Sequence, residues 1–273
     1  MTADAALRVV QIGFATTVQD RGRSGLAHLG VPAAGAVDRR THDVMNRLVG
    51  NPPDAATIET MGALIVEVLR PVVIATSTDA TRQTLSAGSR VRIDAPAGSV
   101  WAYLAVRGGI DVDSVLGSRS HDTLGGVGPP ALAAESLVAV GPDPSTPLAA
   151  DHAPQRRADH ARFRIWDGPQ HDWFVGGTQC LVRRPWRITN ELSRVGMRLE
   201  AGEFARSTRS QPRMGSVGLT PGAVQITPAG EPIVMLANHP TTGGYPVIAV
   251  VDPDDLPDLA QTRPGSSVQF RRA

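Results

Sequence analysis

Lysine is entirely absent from the 273-residue chain, so all 27 basic residues are arginine. This absence excludes several mechanisms, because biotin and lipoate are carried on lysine, Schiff bases form on lysine, and phosphate-binding loops use lysine. We therefore expect no covalent biotin on this chain. Arginine still offers bidentate contacts to anions.

Cysteine is nearly absent as well. Cys180 is the single cysteine, which excludes an intrachain disulfide and a cysteine cluster for zinc. The sequence contains no apolar run of about 18 residues and does not begin like a secretory signal, so we expect a cytoplasmic protein without a membrane partner. A formal net charge of +1 gives no indication of a nucleic-acid partner.

The pattern of the remaining residues predicts a mainly β fold with a few short helices. Short aliphatic runs recur between Gly, Pro, Asn and Asp, as is typical of strands and turns. A helix is predicted over Arg39–Val49, capped by Asp38, and a second one after Asp252-Pro253. The predicted strands are Leu7–Ile12, Ala63–Leu69, Pro71–Thr76, Arg90–Ile93, Val100–Val106, Leu137–Val140, Arg162–Trp166, Trp186–Thr189, Ala223–Ile226, Ile233–Leu236, Val247–Val251 and Ser267–Phe270.

The chain length and a change in composition predict two domains. Residues 146–161, rich in Pro, Ala and charge, are predicted to link a first β-barrel region at 1–145 to a second at 162–273. The segments Pro71–Thr78 and Pro232–His239 are weakly similar, as expected for two related barrels. Chance similarity between short β-branched strands is the alternative interpretation.

The segment Ile233–Val251 has the strongest features of a binding site. Two apolar runs flank a loop that gathers hydrogen-bonding groups around Gly243 and Gly244. Paired glycines allow backbone amides to approach a ligand closely. A hairpin turn between two neighbouring strands is the alternative interpretation.

Two other glycine-rich segments are polar. Near the start, Asp20 and Arg21 could hold each other in place or bind a substrate. Residues 118–121 could contact a carboxylate or a partner surface, or could form a simple turn. Neither segment has the order of a nucleotide-binding loop, and the histidine spacings match no metal or catalytic motif, so no metal is predicted.

Four segments together resemble one family over nearly the whole chain. They are VQDRGRSGLAHLGVPAAGAVDRRTHDVMNRLVGN, AVRGGIDVDSVLGSRSHDTLGGVG, WDGPQ with RVGMRL, and ANHPTTGGYP followed by LAQTRPGSSVQF. The chain is similar to the family variously named for the C subunit of 5-oxoprolinase, for allophanate hydrolase subunit 2 or for biotin-dependent carboxyltransferase. This family also includes the antagonist of a sporulation kinase inhibitor.

The resemblance implies two cyclophilin-like β-barrel subdomains and a hetero-oligomeric complex. The expected partner is a homologue of the B subunit, also called allophanate hydrolase subunit 1, with the A subunit as a further partner. The leading hypothesis is an ATP-dependent 5-oxoprolinase-like amidohydrolase that opens a lactam, 5-oxoproline, to glutamate, with ATP as co-substrate of the complex. The alternatives are a carboxyltransferase component of a urea amidolyase-type, biotin-dependent system, and a non-catalytic regulatory partner of a kinase-inhibitor-like B subunit.

The resemblance and the polar pattern leave the catalytic residues unknown but suggest substrate-binding candidates. Arg194 or Arg21 would pair with a substrate carboxylate, and Tyr245 would form a wall of the pocket. The resemblance implies that relatives often carry Asp at 238, a basic residue at 247 and an acidic or amide residue at 193. Val247 therefore argues against carboxyl transfer, unless an arginine such as Arg194 substitutes for the missing basic group. The candidates are Arg21, Asn46, Glu59, Arg194, Gln225, Asn238, Thr241, Thr242, Gly243, Gly244 and Tyr245.

Overall fold

The computed structural model describes residues 5–148, 150–154, 162–211 and 214–273. These residues form two compact units. The first contains the described residues of Met1–Arg23, Ala34–Asp122 and Gly126–Arg157, and the second those of Ser24–Ala33, Thr123–Gly125 and Ala158–Ala273. The predicted linker at 146–161 lies partly outside the described residues, and its boundaries stay a prediction.

The first unit consists of strands and a single α-helix within its described residues. Its strands form a four-stranded sheet in the order β7-β4-β1-β9 and a five-stranded sheet in the order β2-β3-β8-β5-β6. The bounds are β1 Ala5–Gln11, β2 Ala15–Gln19, α1 Arg39–Leu48, β3 Thr57–Met61, β4 Leu64–Val68, β5 Val72–Thr76, β6 Thr81–Leu85, β7 Arg90–Ile93, β8 Trp101–Val106 and β9 Leu137–Ala139.

The core of the first unit is built by alternate residues from both sheets. Leu7 and Val9 of β1 and Leu64 of β4 pack with Ile58 and Leu104 of the other sheet, and each of these side chains is at most 1% exposed. Strand β8 is buried along its whole length, because Ala102, Leu104 and Val106 face the core shared with the other sheet and helix α1 packs against β8 as well. This explains why its sequence is a continuous apolar run rather than an alternating one.

The start of helix α1 is fixed by a buried polar network. The Asp38 side chain accepts hydrogen bonds from the Thr41 backbone N at 2.9 Å and the Thr41 hydroxyl at 2.6 Å, as predicted for an N-cap. The backbone N of Asp38 donates to the Tyr103 hydroxyl at 2.7 Å, which in turn donates to Glu59 at 2.7 Å. Burial raises the pKa of Tyr103 well above its ordinary value, so its hydroxyl stays protonated.

The second unit is a closed barrel in the order β10-β17-β14-β15-β12-β11-β18. Neighbouring strands are antiparallel except β10 and β18, whose parallel pairing places Phe163 opposite Phe270. The bounds are β10 Arg162–Asp167, α2 Gln179–Val182, β11 Trp186–Leu192, β12 Gly196–Leu199, β13 Val217–Gly218, β14 Ala223–Ile226, β15 Pro232–Met235, β16 Thr242–Gly243, β17 Val247–Val251, α3 Leu256–Ala260 and β18 Ser267–Arg272.

Strand β14 lies between β15 and β17 in the barrel. Val224 of β14 is opposite Val234 on one side and Ala249 on the other. The two strands that flank the Gly243-Gly244 loop are therefore not partners, and the hairpin interpretation of this loop is wrong. The loop instead connects two strands separated by β14.

The predicted mainly β fold with short helices is confirmed. Each predicted strand overlaps an observed one, and α1 and α3 lie where helices were predicted. The prediction omitted α2 and six strands, β2, β3, β6, β12, β13 and β16. Among the described residues, no helix has both the length and the apolar character needed to span a bilayer.

Replacing the Tyr103 hydroxyl tests the network at the start of α1. Tyr103→Phe removes one hydrogen bond from Glu59 and one from the backbone of Asp38, so we expect a loss of about 1–3 kcal/mol in the free energy of unfolding, measured with urea. The matched control is Tyr245→Phe, because Tyr245 is the second of the two tyrosines and the residue is 43% exposed. Equal losses in the two variants would contradict this role.

Candidate functional site

The loop between β15 and β17 is ordered by its own contacts. Thr242 and Gly243 form β16, which pairs with Gly218 and Val217 of β13. The Thr241 carbonyl accepts from the Leu219 backbone N at 2.9 Å. The backbone of this loop is therefore held in a small ladder of its own.

An open groove of about 570 Å³ lies beside this loop. Its volume is within the range of small-molecule sites. The structure thus brings four of the predicted site residues into one groove: Gln225, Gly243, Gly244 and Tyr245. The other described residues that line it are Asn190, Glu191, Leu192, Ser193, Val195, Gly196, Arg198, Ile233, Met235 and Pro240.

The floor of the groove is formed by alternate residues of neighbouring strands. Gly196 and Arg198 of β12 lie opposite Met235 and Ile233 of β15, and Ile233 lies opposite Gln225 of β14. Because successive strand residues point to opposite faces, these side chains share a face of the sheet. The residues of β12 that alternate with them, Met197 and Leu199, are fully buried in the barrel. The groove therefore lies on the outer face of the barrel wall.

Gly243 is required where the loop passes over Gln225. The Gln225 side-chain amide donates to the Tyr245 carbonyl at 2.8 Å. A Cβ added at Gly243 would lie 2.7 Å from that amide nitrogen and 2.9 Å from a methyl carbon of Leu219. By contrast, a Cβ at Gly244 would meet no atom of the described residues within 4 Å.

Asn238 and His239 hold the start of the loop in place. The Asn238 side chain is fully buried and accepts from the Thr123 backbone N at 2.7 Å, and its backbone N donates to the Arg194 carbonyl at 2.9 Å. Burial lowers the pKa of His239, which leaves the ring neutral at pH 7, and its Nδ1 contacts the Pro240 carbonyl at 2.7 Å. Both side chains support the loop.

Arg194 lies apart from the groove. The residue is 3% exposed, and it does not belong to the described residues that line the groove. Burial lowers the pKa of Arg194 to about 9, so the side chain remains charged at neutral pH. Its predicted pairing with a substrate carboxylate stays a prediction.

Arg21 and Asn46 of the first unit belong to one polar chain of contacts. Arg21 forms a two-point ion pair with Asp43 at 2.6 and 3.2 Å. Asp43 contacts Nδ1 of the buried His42 at 3.1 Å, and Nε2 of His42 lies 3.4 Å from the Asn46 amide. Burial alone would raise the pKa of Asp43, but hydrogen bonds from His42 and Arg21 hold it below its ordinary value.

Asn46 and Glu59 are buried inside the first unit. Asn46 donates to the Ala55 carbonyl at 2.8 Å and accepts from Asn51 at 3.0 Å. Glu59 is 1% exposed and accepts from the Val37 backbone N at 2.8 Å, in addition to its bond with Tyr103. These contacts give both residues a structural role at the ends of α1, while their substrate contact stays a prediction.

A buried carboxylate joins the two glycine-rich segments of the first unit. Asp20 Oδ1 accepts from Gly22 N at 2.7 Å, the Ser118 hydroxyl at 2.6 Å and the Ser120 hydroxyl at 2.5 Å, and Oδ2 accepts from Arg119 N at 2.6 Å. Burial would raise the pKa of Asp20, but these four donors lower it below its ordinary value. Residues 118–120 therefore do contact a carboxylate, which belongs to the chain itself.

Sequence reasoning missed Arg198 and Glu191 in the groove and His42 and Asp43 in the first unit. Arg198 stands two residues after Gly196 in a strand, an alternation that predicts a shared face. That signal was present in the RVGMRL segment. The His42–Asn46 contact also had a signal, since residues four apart on the predicted helix are neighbours. The contact of Asp43 with Arg21 had none, since it depends on how α1 packs.

One unit of two packed sheets and one barrel with a ligand-sized groove on its outer wall define a mainly β chain of two subdomains. The family model described as "Carboxyltransferase domain, subdomain A and B" matches residues 29–272. The chain belongs to this family, and the predicted family membership is confirmed.

Named relatives agree with this assignment. The chain is 33% identical to the C subunit of 5-oxoprolinase from Escherichia coli (strain K12), over 97% of its length and 90% of the relative's. It is 26% identical to the same subunit from Haemophilus influenzae, over 96% of its length and 89% of the relative's. Urea amidolyase of Lachancea kluyveri is 30% identical, but the chain spans 17% of that protein.

Solved structures are also similar to this chain. The crystal structure of TTHA0988 matches 99% of this chain with a TM-score of 0.87 and 32% identity, and the chain spans 57% of that protein. The urea amidolyase structure of K. lactis matches 98% of the chain with a TM-score of 0.85 at 24% identity, and the chain spans 19% of it. The second likeness supports the fold alone.

The two glycines of the loop provide a matched pair of substitutions. Gly243→Ala would push the Gln225 amide away from the Tyr245 carbonyl, so we expect a loss of about 1 kcal/mol in the free energy of unfolding. Gly244→Ala is the control and should change stability by less than about 0.5 kcal/mol. Urea unfolding measures both, and a larger loss at Gly244 would refute the close approach at Gly243.

The Asp20 carboxylate predicts an acid-sensitive contribution to stability. Its folded-state pKa is lowered, so the ionised form stabilises the fold above the unfolded pKa near 4, and this is lost as pH falls through the folded pKa. Asp20→Asn should cost about 1–3 kcal/mol at pH 7, and the difference from the parent should narrow below about pH 4.

Urea unfolding between pH 7 and 3 measures this contribution. Asp54→Asn is the control, because Asp54 is exposed. A difference between parent and Asp20→Asn that is constant across this pH range would contradict the role of the ionised Asp20.

Proposed function

We propose that this chain is the C subunit of an ATP-dependent 5-oxoprolinase that opens 5-oxoproline to glutamate. It would act with homologues of the B subunit and the A subunit, and ATP would be the co-substrate of the complex. The observation that carries the proposal is the match to the C subunit of 5-oxoprolinase from Escherichia coli over 97% of this chain and 90% of the relative. A match along both lengths supports an equivalent subunit rather than a shared fragment.

The groove of the second unit supports a small cyclic amide as ligand. Tyr245, Ile233 and Pro240 contribute apolar surface to its lining. Asn190, Ser193 and Gln225 line the same groove with neutral hydrogen-bonding groups. A lactam ring, which is apolar on its faces and polar at its amide edge, is suited to this mixture.

Position 247 supports ring opening over carboxyl transfer. Val247 is 3% exposed and packs with Ala223 and Met235 in an apolar cluster. This position therefore supplies an apolar contact and no cation. Carboxyl transfer would need another group to stabilise the developing negative charge.

A carboxyltransferase component of a biotin-dependent system is the second candidate. The description of the family model and the 30% identity to urea amidolyase of Lachancea kluyveri favour it. The absence of lysine means that biotin would have to arrive on another protein. In this candidate the groove would hold the acceptor amide.

Reconstitution with the homologues of the A and B subunits tests the proposal. We expect ATP hydrolysis that depends on 5-oxoproline and releases glutamate. Tyr245→Ala should raise KM for 5-oxoproline about tenfold, or about 1.4 kcal/mol, through loss of the ring contact. An intact complex that hydrolyses no ATP with 5-oxoproline would refute the proposal.

The same complex separates the two candidates. Urea, bicarbonate and a carboxylated biotin-carrying protein replace 5-oxoproline in a parallel assay. Carboxylated product in this assay, without turnover of 5-oxoproline, would favour the carboxyltransferase function.

A further inference from the structure

Arg198 is the sole cation among the described residues that line the groove. Its side chain is 32% exposed, and it shares the groove floor with Gln225 and Ile233. Any anionic ligand in this groove would therefore have a single basic side chain to contact. Arginine is well suited to this, because its guanidinium presents several N–H groups in a fixed plane.

Two carboxylates contact Arg198, and they are held differently. Nη1 donates to Glu231 Oε2 at 2.8 Å. Glu231 is 29% exposed on its side chain and is anchored by Thr227, whose hydroxyl accepts from the Glu231 backbone N at 3.1 Å. This contact orients the guanidinium from the turn between β14 and β15.

The second carboxylate is exposed. Nε of Arg198 lies 2.9 Å from Glu191 Oε2, and the Glu191 side chain is 67% exposed. Glu191 lies in the stretch of β11 where the pairing with β12 shifts register between Ile188 and Leu192. Such irregularities re-aim side chains, and an ion pair this exposed contributes little stability. Glu191 can therefore leave Arg198 at small cost.

We propose that Arg198 is the carboxylate subsite of the groove, and that Glu191 occupies it as an internal substitute for the ligand. Binding exchanges the Glu191 carboxylate for that of the ligand, while Glu231 keeps the guanidinium in place. The identification of the ligand as 5-oxoproline rests on the proposed function. The subsite itself requires only a small carboxylate.

The test is a calorimetric titration of the isolated full chain with 5-oxoproline, with its neutral carboxamide and with acetate, and the NMR signal of the Arg198 Nε–H group is a second readout in the variants that retain Arg198. Glu191→Gln should increase the binding affinity for 5-oxoproline and for acetate about fivefold, the gain expected from removing an exposed competing carboxylate. The neutral carboxamide should gain less than about twofold. Arg198→Gln should weaken 5-oxoproline about tenfold and abolish the gain from Glu191→Gln in the double variant.

Glu200→Gln is the matched control. Glu200 is 56% exposed on its side chain and lies 3.7 Å from Arg187, outside the residues that line the groove, so no affinity should change. The Glu191→Gln variant keeps the shape of the side chain, and its result stands even if Arg198→Gln folds poorly.

Each outcome decides the proposal. Weaker or unchanged binding of both carboxylates to Glu191→Gln overturns it, as does an equal gain for the neutral carboxamide. A gain for acetate without any binding of 5-oxoproline supports the subsite and counts against the proposed function. If the complex shows no turnover while the isolated chain shows the expected gains in affinity, the subsite is likewise supported and the proposed function is not.

Discussion

The position of β14 between β15 and β17 is the constraint on which the candidate site depends. Because the strands that precede and follow the Gly243-Gly244 loop are separated by a third strand, the chain must cross the end of β14 to reach its next place in the barrel. That crossing brings the loop over Gln225. The hydrogen bond from the Gln225 amide to the Tyr245 carbonyl and the lack of a Cβ at Gly243 let the loop backbone lie close to Gln225. The groove is the space left beside the crossing.

In the first unit, buried polar groups hold the glycine-rich segments and the start of α1 in place. Its glycine-rich segments contain too few apolar residues to be held by packing alone, and Asp20 instead gathers four hydrogen bonds on one carboxylate. Tyr103 and Glu59 form a chain of hydrogen bonds with the Asp38 backbone that fixes the start of α1. Buried polar networks of this kind favour one arrangement strongly, because a partly satisfied network is costly.

The sequence predicted those parts of the fold in which local pattern and tertiary environment agree. Val247–Val251 is rich in β-branched residues, and Asp38 belongs to a residue type favoured at helix N-caps, so both were predicted. Strands β2 and β3 carry Thr16, Thr17 and Thr60 into buried positions, which hides their alternation. In the site, the loop and Gln225 were predicted together, whereas the contact of Glu191 with Arg198 depends on a register shift that a linear pattern does not reveal.

The parallel pairing of β10 with β18 has a consequence for synthesis. Phe163 and Phe270, opposite each other in this pair, are both 1% exposed, yet they belong to the first and last strands of the barrel. While the ribosome is still making the strands between them, the barrel wall has two open edges, and exposed edges invite pairing with other chains. Until Ser267–Arg272 pairs with β10 and β11, the second unit therefore keeps strand edges to which other chains can pair.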